Sequence, residues 1–149
     1  MAILIPGILL AVLIGAGSTL QAGINAQLAG RLGHVGWAAL FSVLGSASLL
    51  ALFLLAGRVA VPAGATLRGT PWWMWTGGIV GAVYLMVASF FAPRLGAAFF
   101  MALVILGQLV AAMILDQTGV LGFAARAITP GRLVGAALVL AGAVIIRRS

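Results

Sequence analysis

Residues 95–118 read LGAAFFMALVILGQLVAAMILDQT, and no charged side chain interrupts them before Asp116. A helix rises about 1.5 Å per residue, so a run of this length covers the roughly 30 Å hydrocarbon core of a bilayer. The run does not alternate apolar with polar residues at every second position, as a barrel strand would. In hydrocarbon each backbone amide must be satisfied within its own segment or in a closed sheet, so the pattern predicts a transmembrane helix. One polar residue, Gln108, falls near its centre beside Gly107.

The same pattern recurs on both sides of this stretch. Toward the amino terminus, Thr70-Pro71 opens a span over about 71–92 that passes through Trp72, Trp73 and Trp75. Threonine is expected to cap its exposed amides, proline suits the first helical turn, and Pro93-Arg94 is expected to stop it. A further span covers about 35–56, with Gly57 expected to close it in the left-handed conformation. The first covers about 3–32, and its second half turns polar at Ser18, Thr19, Gln21, Asn25 and Gln27. A cleaved signal peptide is the competing reading of this segment, but no basic residue precedes the apolar run and no small-x-small cleavage site is evident. Toward the carboxyl terminus, Gly119 ends the fourth span, and Thr129-Pro130 repeats the cap-and-proline signal before a fifth over about 130–147. The longer connections after Gly57 and Gly119 read as loops. The expected fold is all-α: one domain over residues 1–149, a polytopic membrane protein with five transmembrane helices.

Composition agrees with this. The 149 residues are 64% hydrophobic and only 6% charged, where a soluble domain is about one quarter charged. The charges are eight arginines and one aspartate, a net +7. Nucleic-acid binding needs a basic stripe on a solvated face, whereas these arginines stand singly between apolar runs and read as membrane-interface residues. With no cysteine there is no disulfide framework, thiolate metal site or cysteine nucleophile. The single histidine, His34, and the single acid, Asp116, are predicted on opposite membrane faces, and there is no carboxylate pair or metal-ligand cluster. No enzyme activity, cofactor or metal is expected, and the partners expected are the lipid bilayer and a small molecule.

Five spans put the loops after the second and fourth helices on one side, with Arg58, Arg68, Arg126 and Arg132, and leave Arg31, Arg94, Arg147 and Arg148 on the other. The arginine bias that normally fixes orientation is therefore absent. One reading is a chain that inserts both ways up and pairs with an inverted copy of itself, since many transporters consist of two inverted halves around a midplane site. The other is a fixed orientation set by unequal loop weights.

Polar residues at membrane depth are costly and face a partner, a cavity or a pathway. Gln21 and Asn25, four apart, share a helix face, which serves either to line a substrate path or to hydrogen-bond another helix. Gln108 and Tyr84 carry the same two readings. Asp116 is expected to pair with Arg126 or Arg132, with proton coupling as the alternative. Trp72, Trp73 and Trp75 form an anchoring belt, and His34 reads as a surface residue. Gly131-x-x-x-Gly135, Gly77-x-x-x-Gly81 and Ser42-x-x-x-Ser46 are candidate close-contact ridges.

The run Gln21-Ala-Gly-Ile-Asn-Ala-Gln27, the turn Ala92-Pro-Arg-Leu-Gly-Ala-Ala98, Phe100-Met-Ala-Leu-Val104, Gly107-Gln108, Leu115-Asp116 and Thr129-Pro-Gly-Arg-Leu-Val-Gly135 resemble the short five-helix, YdcZ-like family of the drug/metabolite transporter superfamily. The resemblance covers nearly the whole chain in order. It implies a bacterial inner-membrane protein similar to one half of the ten-helix members, whose cavity lies between inverted five-helix repeats. It also implies a secondary transporter or exporter of small organic molecules, working by alternating access as an antiparallel homodimer or with an oppositely oriented paralogue. By that analogy the first, third and fourth helices line the cavity, which nominates Gln21, Asn25, Tyr84 and Gln108. The related small multidrug resistance proteins use a glutamate in the first helix, which this chain lacks. A passive channel and a non-transporting subunit of a larger complex are the competing functions.

Overall fold

The computed structural model describes residues 4–148, all helix, turn and loop. The expected start of the first span, at Ile3, lies outside the described residues. The elements are α1 (Leu4–Leu32), α2 (Val35–Ala56), a short α3 (Gly64–Gly69), a 3-10 turn (Trp72–Trp75), α4 (Gly77–Leu95), α5 (Ala97–Thr118), a second 3-10 turn (Val120–Gly122) and α6 (Pro130–Arg148). Five stretches are long and apolar enough to cross a membrane, with Trp72–Leu95 counted as one. The chain is an all-α polytopic membrane protein.

The helices end differently from expectation in three places. Gly57 is right-handed (φ −76°), and the left-handed residue that turns the chain off α2 is Arg58 (φ 49°). Arg58 N–H donates to Leu55 O and Val59 N–H to Leu54 O, both at 3.0 Å, the paired bonds of a Schellman turn, with the glycine one position too early to take the left-handed place. A side chain there costs about 1–2 kcal/mol. At Thr70, Oγ1 donates back to Thr66 O at 2.8 Å, so it does not cap the following span. That span starts as the 3-10 turn after Pro71 and becomes α-helical only at Gly77. Pro93 does not stop α4, which continues to Leu95. Proline removes one ladder bond but keeps a helical φ, so the break falls where Gly96 takes φ 87°.

Two other ends follow the sequence. Gly119 (φ 64°) closes α5, donating to Leu115 O at 2.8 Å. Thr129 receives the Arg132 amide on its carbonyl (3.0 Å) and, more weakly, on Oγ1 (3.4 Å), with Pro130 in the first turn of α6.

The chain divides into two compact units, residues 1–93 and 94–149. In the first, Gly33 and His34 form the whole link between α1 and α2, which therefore run antiparallel and pack over the halves nearest the turn, while residues 5–17 and 47–56 stay exposed. Their contact is built from small side chains, with Ala22 and Ala29 of α1 and Ala38 and Ala39 of α2 buried, because small residues let helix backbones approach closely in a membrane. In the second unit α5 and α6 form another antiparallel pair. It is tied at one end by Arg147, whose guanidinium carbon lies 5.4 Å from the Phe99 ring centroid, and at the other by Asp116 and Arg132. A Cβ at Gly77, Gly81 or Gly135 would meet nothing within 4 Å among the described residues, so the close contact of α1 with α2 is made by alanine and not by these glycine ridges.

Candidate functional site

Asn25 is the most deeply buried amide, 4% exposed. Its Nδ2 donates to Ser42 Oγ at 3.2 Å, and Gln21 Nε2, one turn earlier on α1, donates to the same oxygen at 3.3 Å. Ser42 stands on α2, two turns from its start, so the cluster lies about 10 Å inside the hairpin. Other span hydroxyls behave differently. Those of Ser18, Ser46 and Ser89 donate to the carbonyl four residues back in their own helices, whereas Ser42 turns its oxygen across to α1. The two donor bonds occupy one N–H of each amide and leave both amide carbonyl oxygens without a hydrogen-bond donor among the described residues.

Ser42 stood in the sequence only as part of a small-residue ridge. The signal that finds it is symmetry about the turn: Asn25 and Ser42 are equally far from Gly33–His34, and antiparallel helices bring such positions together. The turn has its own logic. Gly33 is left-handed (φ 78°), and His34 is extended with Nδ1 accepting the Gly36 amide at 3.0 Å. His34 is exposed, as expected, but it is also the N-cap of α2. A Cβ at Gly36 would come within 2.9 Å of that nitrogen, so the close approach needs glycine.

Of the remaining predicted residues, Tyr84 belongs to the first unit and Gln108 and Asp116 to the second. Tyr84 is half-buried on α4, one turn before buried Ala88, and its hydroxyl has no hydrogen bond among the described residues. Gln108, in the second unit, is exposed on α5 and likewise has no hydrogen bond among the described residues. Asp116 is paired: Oδ2 accepts from Arg132 at 3.0 Å, with side chains 26% and 31% exposed. Its carbonyl accepts the Arg126 amide at 2.7 Å, and Gln117 Oε1 accepts the Ile128 amide at 2.7 Å. The end of α5 thus straps down the loop leading to α6. Trp72, Trp73 and Trp75 are exposed, as an interfacial belt requires. No group of metal-binding side chains occurs among the described residues.

A family model described as "Putative inner membrane exporter, YdcZ" matches residues 6–145. The chain belongs to that family. The match takes in all five spans, the Gln21–Asn25–Ser42 cluster and the Asp116 strap, so the described geometry is that of a YdcZ-family chain throughout. Membership places the protein in the inner membrane as a multi-pass member of a family described as exporters. No curated protein and no solved structure matches the chain.

Proposed function

We infer that this YdcZ-family chain is a secondary exporter of small organic molecules, one five-helix domain acting as half of an antiparallel dimer that alternates between inward-open and outward-open states. The observation that carries this reading is the Gln21–Asn25–Ser42 cluster. Amide carbonyls left without donors inside a membrane are expensive unless a cavity, partner or ligand meets them. Tyr84 and Gln108, without hydrogen bonds among the described residues, are offered as further lining residues on the same ground. The tie of arginines across the two sides, together with Gly77, Gly81 and Gly135, where a Cβ would meet nothing within 4 Å among the described residues, supports pairing with an inverted copy. The single carboxylate is held by Arg132, so the substrates favoured are neutral, zwitterionic or anionic, and Asp116 acts as a strap in preference to a proton carrier.

The test is counterflow in proteoliposomes across a panel of neutral, zwitterionic, anionic and cationic metabolites. Saturable exchange, lost in Asn25→Ala and Gln108→Ala while the dimer persists, is the expected result. Flux that rises linearly with concentration would establish a channel instead. No flux, with a stoichiometric membrane partner on purification, would establish a subunit. For the dimer, single cysteines at Val61 and Ser149 are labelled in intact cells with an impermeant thiol reagent. Partial labelling of both is expected, and labelling of one alone would end the antiparallel homodimer.

A further inference from the structure

At the end of α2 the chain folds back over its own helix and forms a half-open apolar pocket of about 480 Å³, walled by Ala51, Leu54 and Leu55 on one side and residues 59–62 on the other. None of the polar cluster residues lines it. The 22 residues of α2 span about 33 Å, the thickness of a bilayer core, so this pocket opens at the membrane–water boundary. The exposed tryptophans of the following turn suit the same level.

Arg58 sits in the middle of the fold-back, between wall residues Leu55 and Val59. Three properties of it go together. It holds a left-handed backbone (φ 49°) that favours glycine, although a glycine stands directly before it, and a side chain kept in a strained position points to a use for that side chain. Its residue is exposed and its guanidinium has no ion-pair or hydrogen-bond partner among the described residues. Its unit, residues 1–93, also contains no acidic side chain, since the only one in the chain is Asp116. An apolar pocket whose fold-back carries, next to wall residue Val59, an arginine with no partner among the described residues is complementary, at headgroup level, to an amphiphile with an anionic head.

We propose that this fold-back is the seat of an anionic phospholipid, with one acyl chain in the pocket and the headgroup phosphate on Arg58. The guanidinium fork matches phosphate oxygens, and the pocket, of the size that small ligands fill, offers an acyl chain only apolar contact.

The full-length protein is reconstituted into nanodiscs of equal phosphatidylglycerol and phosphatidylcholine, released into mild detergent, and read by native mass spectrometry. Wild type is expected to retain phosphatidylglycerol about fivefold over phosphatidylcholine, the worth of one basic residue at an anionic surface. Arg58→Gly keeps the turn and removes its strain, so it is expected to hold lipid with a ratio near one and unchanged helicity. Ala60→Trp, which fills the pocket from the loop, is expected to lose lipid of both kinds. Equal retention of the two lipids by wild type, or no retained lipid, overturns the proposal. So does an Arg58→Gly protein that keeps the preference, or an Ala60→Trp protein that holds lipid as wild type does.

Discussion

Replacing Ser42 by alanine takes away the one oxygen on which two amides of α1 converge, at 3.3 Å from Gln21 and 3.2 Å from Asn25. Hydrogen bonds between membrane helices are worth about 0.6 kcal/mol each on average, because the separated helices also find partners. Two such bonds give an expected loss of about 1 kcal/mol for Ser42→Ala. Asn25→Ala removes one of the bonds and also leaves a small void in a buried position, so its own cost is larger and less specific. The quantity that isolates the contact is the coupling in the Ser42→Ala/Asn25→Ala cycle, expected at about 0.6 kcal/mol. Ser46→Ala supplies the control. Its hydroxyl only returns to Ser42 O in its own helix at 3.0 Å, and the expected change is within about 0.5 kcal/mol. The assay is reversible unfolding in mixed micelles titrated with a denaturing detergent. A coupling indistinguishable from zero, or Ser46→Ala as costly as Ser42→Ala, would refute the account of the α1–α2 contact.

Gly119→Ala is expected to lose about 1–2 kcal/mol in the same assay, since the residue is left-handed and a new Cβ would lie 3.2 Å from that of Ala125. Gln117→Ala frees the Ile128 amide, and tryptic cleavage after Arg126 is expected to accelerate by about fivefold, the equivalent of 1 kcal/mol of lost loop closure; an unchanged cleavage rate would mean that the strap does not restrain the loop. His34→Ala removes the cap on the Gly36 amide at a cost of about 1 kcal/mol, and His34→Asn is expected to recover most of it. Equal stability of His34→Ala and wild type would show the imidazole cap to be idle.

The spans were legible because each is a long, mostly apolar run with charged residues only near its ends, and no soluble or barrel arrangement tolerates five of them in one short chain. Their ends were less so, for a local reason in each case. Thr70 carries the right hydroxyl for a cap but has a carbonyl of α3 within closer reach. Pro93 marks the last turn of α4 without fixing its last residue, because the decisive torsion belongs to Gly96. At Arg58 the sequence offers glycine and the chain turns one residue later. The Gln21–Asn25 pair was visible from helical spacing alone. Its partner was not, since a serine four residues from another serine reads as a ridge until the register of the hairpin is known. Gln108 shows the opposite limit: its cost at membrane depth is evident from sequence, but its amide finds no hydrogen-bond partner among the described residues.

The link of Gly33 and His34 also bears on orientation. Two residues reach only about 7 Å, far short of a bilayer core of about 30 Å, so the end of α1 and the start of α2 are held at the same membrane face. Arg31 and His34 therefore share one side whichever way up the chain stands, and a chain that inverts carries both helices over together.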